Sequence, residues 1–302
     1  MNHSIEIKNL NKFYGKKQVL YDVNLSIHPG MFGLLGRNGA GKTTLMKTLA
    51  TLLQKKDGEI MVCGVPIENT REIRKITGYL PQEFSMYSSM NVGEAMDYLA
   101  VLSGIKGVER KERIDVLLQK VNLTEHRKKK VKALSGGMKR RLGIAQALLN
   151  DPRVLIVDEP TAGLDPEERI RFRNLLSELA EDKIVILSTH IVGDIEAACE
   201  DIAIINEGRV IYNGTVEALL QAAEGRVFTM TAAREELPRL KEQLSITSMH
   251  PQGNLVYIRF IADALMPGAE VCEPNIEDAY MLYLHTSGLQ DILNEKETGG
   301  VW

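Results

Sequence analysis

The most specific of the short stretches able to do chemistry in this chain is Gly36-Arg37-Asn38-Gly39-Ala40-Gly41-Lys42-Thr43. Its glycines let the main chain curl so that successive N–H groups face inward, which suits phosphate oxygens, and a helix opening at Thr44 adds its positive end. Lys42 supplies a point charge for the β- and γ-phosphates, and the Thr43 hydroxyl suits the Mg²⁺ that those phosphates also hold. The pattern predicts a bound nucleoside triphosphate. A second stretch, Val154-Leu155-Ile156-Val157-Asp158-Glu159, delivers two carboxylates to the end of an apolar strand, where ligands of α/β sheets bind. Asp158 suits the Mg²⁺ shell, and Glu159 suits polarising a water for attack on the γ-phosphate. A third, Leu134-Ser135-Gly136-Gly137-Met138, also reads as an anion site. Gly136 and Gly137 expose backbone N–H groups and Ser135 offers a hydroxyl; taken alone, a plain helix cap is the default.

The elements that must hold these stretches are written in the apolar pattern. Residues 4–27 alternate apolar and polar positions (Ile5, Ile7, Leu10, then Val19, Val23, Leu25, Ile27) and predict antiparallel strands that turn at Tyr14-Gly15. Met31–Leu35 predicts a buried strand before the glycine-rich loop, and the helix after it runs to Ala50. Strands are expected at Glu59–Cys63, before Pro81-Gln82, and at Val154–Val157, Ile184–Leu187 and Ile202–Ile205. Helices are expected from Pro166 to about Glu181 and onward to Glu200. Apolar strands alternating with amphipathic helices indicate a mainly parallel sheet covered on both faces. Between Glu83 and about Lys132 the texture is helical, with Val92, Met96, Leu99 and Leu102 on one face and Ile114, Leu117, Leu118 and Val121 on another. This predicts an inserted helical subdomain, about 83–150. Its closing run Arg127–Lys132 reads as a solvated basic face. Past Gly225 a small α+β appendage is expected, with a helix after Pro274-Asn275 that carries Glu277 and Asp278 in its first turn and Ile276, Ala279, Tyr280 and Tyr283 on one face. Domains are thus 1–224 and 225–302, the last residues from Glu295 reading as a loose tail.

Composition narrows the function classes. A chain of 302 residues with 44% hydrophobic content supports a large core plus a smaller domain. A net charge of −3 gives no general reason to expect nucleic acid. Cys63, Cys199 and Cys272 are far apart and without metal-ligand spacing, which suits a reducing cytoplasm and packing roles. Neither a secretory signal nor an apolar run near the ~20 residues of a membrane span is present, so a partner must supply any spans.

With Leu134-Ser135-Gly136-Gly137 between the two phosphate-handling stretches, the chain resembles the nucleotide-binding subunit of an ATP-binding cassette (ABC) transporter over roughly residues 4–220. The resemblance implies an α/β P-loop NTPase core of ABC type, with an antiparallel β subdomain, the inserted helical subdomain and the C-terminal appendage. It implies that Ser135, Gly136 and Gly137 close over a γ-phosphate held by a second nucleotide-binding subunit, so that each MgATP site is shared. Methionine at position 138 replaces the glutamine of many members. Tyr14 resembles the aromatic on which adenine stacks, Gln82 the glutamine that reports on Mg²⁺ where the membrane subunit docks, and His190 the histidine that contacts the γ-phosphate. Gly163-Leu164-Asp165 resembles the loop that crosses to the opposite site. The expected activity is ATP hydrolysis driving a separate integral membrane permease from the cytoplasmic face of the membrane. Leu134–Arg141, Glu159–Pro166 and Pro274–Tyr280 resemble the exporter branch with separate membrane subunits, including drug- and antibiotic-resistance systems. The rival is a soluble cassette ATPase acting on ribosomes or DNA, but the paired cassettes or long coiled coil of those relatives are missing. A GTPase-like switch lacks its Asn-Lys-x-Asp base reader.

Overall fold

The structure is a computed structural model that describes residues 3–286. Its elements are β1 (Ile5–Tyr14), β2 (Lys17–Ile27), β3 (Gly30–Leu35), α1 (Lys42–Leu49), β4 (Asp57–Val62), β5 (Val65–Pro66), α2 (Thr70–Ile76), β6 (Thr77–Leu80), α3 (Val92–Leu102), α4 (Gly107–Lys120), α5 (Gly136–Ala147) and β7 (Val154–Asp158). There follow α6 (Pro166–Ala180), β8 (Ile184–Thr189), α7 (Val192–Glu196), β9 (Asp201–Asn206), β10 (Arg209–Thr215), α8 (Val216–Gln221), β11 (Val227–Ala233), α9 (Leu237–Gln243), β12 (Ser245–Gln252), β13 (Leu255–Ile261) and β14 (Glu270–Val271). A further helix, α10, occupies 276–286. The tail expected from Glu295 lies outside the described residues.

The central sheet has the order β10-β9-β3-β8-β7-β6, and its pairs from β9 to β6 are parallel. Every residue of β7 and β8 is buried, as the continuous apolar runs require of strands covered on both faces. On one face Phe32, Leu34, Ile156 and Ile186 pack with Leu45, Met46 and Leu49 of α1 and with Ile5, Ile7, Leu25 and Ile27 of the antiparallel sheet. On the other, Gly33 leaves room for α7, since a Cβ there would stand 2.5 Å from Cδ1 of Ile195. The antiparallel sheet runs β2-β1-β4-β5, with Ile5 opposite Ile27 and Tyr14 opposite Lys17 at the expected turn.

The register fixes the location of the chemistry. Leu35 pairs with Thr189, Asp158 with Ser188, and Leu80 with Val157. The C-terminal ends of β3, β8, β7 and β6 therefore finish side by side. From them continue the glycine-rich loop, His190, Glu159 and Gln82.

The helical region departs from the sequence reading in detail. Residues 83–90 form no helix, and α3 buries Val92, Ala95, Met96 and Ala100, whereas Leu102 is 67% exposed. At ~100° per residue, Leu102 has rotated about 80° away from Val92, so the seam follows the small Ala95 and Ala100 instead. Ile114, Leu117, Leu118 and Val121 are buried as expected, and Lys128, Lys129, Lys130 and Lys132 are exposed. Cys63 and Cys199 are buried and unbridged, and burial pushes the Cys199 thiol up to about 12, with Asp194 adding to the rise.

The described residues pack as two compact units that divide between Val210 and Ile211. From Ile211 onward the chain packs with the later elements. The Tyr212 and Tyr283 rings meet edge-on at 5.0 Å, and Leu220 and Glu224 face Val271–Pro274 across one cavity. The second unit's sheet runs β12-β13-β11-β14, with Phe228, Val256, Ile258 and Phe260 as its core.

Candidate active site

The loop between β3 and α1 owes its shape to its glycines. Gly39 and Gly41 have φ of 85° and 111°, a left-handed region that residues with a Cβ rarely enter. Gly36 is required by crowding instead, because a Cβ there would lie 2.4 Å from the Ile205 carbonyl oxygen. Gly41 caps α1 without a side-chain hydrogen bond, which leaves the first N–H groups of the helix to an incoming anion. The Ala40 carbonyl accepts from the Gly208 N–H at 2.8 Å and pins the loop from behind.

Lys42 is 4% exposed, so its ammonium depends on the acceptors around it. It donates to the Gly36 and Arg37 carbonyls at 2.7 and 3.1 Å and lies 3.3 Å from Oε1 of Glu159. The other Glu159 oxygen accepts from Nε2 of Gln82 at 3.2 Å and is 3.1 Å from Nδ1 of His190. Glu159 has a φ of 46°, an arrangement costing a residue with a side chain about 1–3 kcal/mol. Its N–H is held by the Ser188 carbonyl at 3.0 Å, so the strained turn is anchored to β8.

A cavity of about 340 Å³ opens over these groups, lined by Asn38, Gly39, Gly41, Lys42, Thr43 and Thr44 with Gln82, Glu159 and Val19. Below it Asp158 is fully buried, and neither carboxylate oxygen has a hydrogen-bond partner. Burial pushes its carboxyl above the ordinary range; Glu159 adds to the rise, while the Ser188 and Thr43 hydroxyls and Lys42 pull back. A buried carboxylate left in this condition beside a threonine hydroxyl suits a divalent cation, since hard cations take oxygen ligands and supply the missing charge. Among the described residues no group of three or more His, Cys, Asp or Glu could hold a metal by itself. Asp158 and the Thr43 hydroxyl, with the Gln82 amide in the cavity wall, are the groups here that could hold such a cation.

Of the other expected positions, Gly36, Arg37 and Ala40 form the loop's frame. Tyr14 is 48% exposed, carries the Lys12 ammonium 5.7 Å from its ring and is not among the cavity's lining residues. Ser135 caps α5, its Oγ accepting from the Met138 N–H at 3.2 Å. Ser135 and Gly136 are exposed, and this stretch does not line the cavity of its own chain. Gly137 lets the Glu168 carboxylate lie against α5, where a Cβ would stand 2.3 Å from its Oε2.

Sequence reading passed over three contributors. Val19 lines the cavity but reads only as one more alternating strand residue. Asp194, fully buried, accepts from Thr161 Oγ1 at 2.5 Å and so ties the chain after Glu159 to the helix after His190. Arg140 donates to the Gln82 carbonyl at 2.6 Å. The only signal for the last two was their nearness to the motifs.

Comparison with known proteins gives the same picture at the level of family. A family model described as ABC transporter matches residues 20–162. An uncharacterized ABC transporter ATP-binding protein of Synechocystis sp. is 32% identical, over 91% of this chain and 80% of the relative. The Nod factor export ATP-binding protein I of Cupriavidus metallidurans is 34% identical, over 86% and 88%. The solved structure of cbiO1 from Clostridium perfringens, part of the ABC transporter complex cbiONQ, superposes with a TM-score of 0.67 at 27% identity, over 80% of this chain and 99% of that one. The P-loop NTPase fold, the phosphate-binding loop beside its carboxylates and these relatives agree: this chain belongs to the ABC transporter ATP-binding proteins and is an ATPase.

Proposed function

We propose that the chain hydrolyses MgATP with Glu159 as general base, at a site completed by Ser135, Gly136 and Gly137 of a second nucleotide-binding subunit, and that it thereby drives export through a separate integral membrane permease. The observation that carries the catalytic part is the placement of Glu159 over the phosphate loop, with Lys42, Gln82 and His190 all within 3.3 Å. When phosphate oxygens take over Lys42, Glu159 is released toward a water. It accepts the proton as the water oxygen bonds to the γ-phosphorus and the bond to the bridging oxygen of the ADP leaving group breaks. His190, on the far side of the carboxylate, orients it and offers a contact to the γ-phosphate. The N–H groups of residues 39–44 and Lys42 bind the phosphates, and Tyr14 stacks on adenine. Asp158, Thr43 and Gln82 would hold a magnesium ion, which when bound would supply charge neutralisation of the phosphates.

The shared site is supported by the exposed Ser135-Gly136 corner, which has acceptors and donors to offer and no ligand position within its own subunit's cavity. Export is supported by the Nod factor export relative. A permease partner at the cytoplasmic face is supported by the ABC transporter complex to which cbiO1 belongs. Glu159→Gln is the direct test. ATP affinity should be retained while kcat falls by about 10²–10⁴-fold; turnover at the wild-type rate would remove Glu159 from the role of base.

A further inference from the structure

The helix α5 and the chain leading from β6 to Gln82 lie against one another in a repeating contact. A Cβ on Gly78 would stand 2.3 Å from the carbonyl oxygen of Ala147, and a Cβ on Gly143 would stand 2.5 Å from Cδ1 of Leu80 and 3.2 Å from Cδ1 of Phe84. Arg140 then reaches the Gln82 carbonyl at 2.6 Å. Positions 78, 80 and 82 follow the two-residue period of one strand face, and 147, 143 and 140 follow the face of a helix. The first contact is main-chain-close and needs glycine at 78, while the second sets Gly143 against the ends of the Leu80 and Phe84 side chains. The third is different in kind, because the two elements separate there. A cavity of about 410 Å³ opens between them, with Glu83, Ser85, Gly136 and Lys139 in its walls, and the half-buried Arg140 side chain spans it.

Beyond Arg140 the linkage continues to the reacting groups. Gln82, its carbonyl held, donates from Nε2 to Oε2 of Glu159 at 3.2 Å. Burial pulls the Arg140 guanidinium down from its ordinary value, and Glu159 is close enough for its charge to oppose that. The adjacent Arg141 turns elsewhere, to the Val121 carbonyl at 3.3 Å and Glu168 at 3.4 Å. Only one of the two consecutive arginines is aimed at the catalytic end of the sheet.

We infer that Arg140 is a positioning residue for ATP hydrolysis, a strut that fixes the Gln82 main chain and so sets Glu159 according to the placement of the helix beginning at Ser135. The inference rests on the reading of Glu159 as the base. Movement of the Ser135 end of α5 onto a nucleotide swings Arg140 about the tight Gly143 contact, and the displacement is delivered through Gln82 to the carboxylate of the same chain. In an assembly with shared sites, this connects the signature that serves one nucleotide to the base that attacks the other.

Steady-state ATPase kinetics of the full chain test this with Arg140→Ala, Arg140→Lys, Gln82→Ala and the Arg140→Ala/Gln82→Ala double variant. Arg140→Ala should lower kcat about tenfold, since misplacing a catalytic group by ~1 Å costs up to about a hundredfold, with KM for MgATP and the thermal midpoint unchanged. Arg140→Lys, which still donates to a carbonyl, should recover most of the loss, and the double variant should be no slower than Gln82→Ala. Wild-type kcat in Arg140→Ala overturns the inference, as does a raised KM at constant kcat or losses that multiply in the double variant. A kcat loss accompanied by a lower thermal midpoint and not rescued by lysine overturns it too. If Glu159→Gln retains turnover, the reading beneath the inference fails; a large Glu159→Gln loss beside a silent Arg140→Ala removes the strut alone.

Discussion

Asp158 and Asp278 are both fully buried carboxylates, and their surroundings are opposite. Asp278, in the second unit, is saturated. Its Oδ2 accepts from Nε and Nη2 of Arg259 at 2.8 and 2.5 Å and from the Asn275 N–H at 3.0 Å, and its Oδ1 accepts from Thr247 Oγ1 at 2.6 Å. Its own N–H returns to Oδ1 of Asn275 at 2.8 Å, and Arg259 also donates to the Glu273 carbonyl. Asp158, in the first unit, has no well-aligned hydrogen-bond partner at either oxygen, and only the pull of the nearby Ser188 and Thr43 hydroxyls and of Lys42 opposes its burial. One carboxylate is a finished joint that fastens the start of α10 to β12 and β13; the other is held at a cost in the folded chain. Burial without satisfaction, rather than burial itself, is what marks Asp158 as the candidate for chemistry and sets it apart from the architectural Asp278.

Two substitutions, read in three measurements, probe that contrast, beginning with the largest effect. Asp158→Asn keeps the shape but removes the charge, and should reduce Mg²⁺-dependent ATP turnover by roughly a hundredfold or more, the equivalent of the several kcal/mol a metal site contributes. Turnover within a fewfold of wild type would make Asp158 a packing residue like its counterpart. Asp278→Asn strands the Arg259 guanidinium, whose pKa the Asp278 hydrogen bonds raise above its ordinary value. Breaking a buried pair at one end costs about 3–5 kcal/mol. Hydrogen exchange of the amides in α10 and β13 should accelerate accordingly, and unchanged protection would show that the joint is ornamental. In the same assay Asp158→Asn should do the reverse, stabilising the first unit by about 1 kcal/mol because a desolvated charge is removed; measured destabilisation would show that Asp158 already has a compensating partner.

How much of this contrast the sequence disclosed depends on the range of each interaction. The phosphate loop was legible because its geometry lies within consecutive residues: Gly39 and Gly41 have to be glycine for their own φ values. The strands were legible from apolar runs, and Asn275 as a helix start from the acidic residues after it. The pairing of Gln82 with Glu159 spans 77 positions and exists only because β6 lies beside β7 with Leu80 opposite Val157. The ring of partners around Asp278 likewise requires the β12–β13 register that puts Ser248 opposite Arg259. Asp278 therefore read as a favourable charge in the first turn of α10, when it is also the anchor of that helix. The expected seam of α3 failed at Leu102 for a related reason, since periodicity names a face but tertiary packing chooses how far along the helix it stays covered.

The smallest expected effect is a slope, and its sign follows from the two environments. An acid whose carboxyl is raised in the folded chain, as burial raises Asp158 above 3.8, binds its proton more tightly folded than unfolded. Its contribution to stability is full below the unfolded value and is lost as pH rises through the folded one. Asp151 runs the other way: burial there is outweighed by Lys183 and Arg113, which hold its carboxyl below 3.8, so its contribution is present above the ordinary value and lost as pH falls. Raw acid denaturation mixes these opposed terms with those of every other carboxylate. The difference between wild type and Asp158→Asn removes all of them except one. Plotted against pH from denaturant midpoints, the advantage of the variant should be absent below the ordinary carboxylate value, grow just above it and then level off. Saturating MgATP should flatten the curve, because a ligated carboxylate no longer prefers its proton. A difference that stays constant across that window would mean that the Asp158 charge is as well accommodated as that of Asp278, and the distinction between the two sites would rest on position alone.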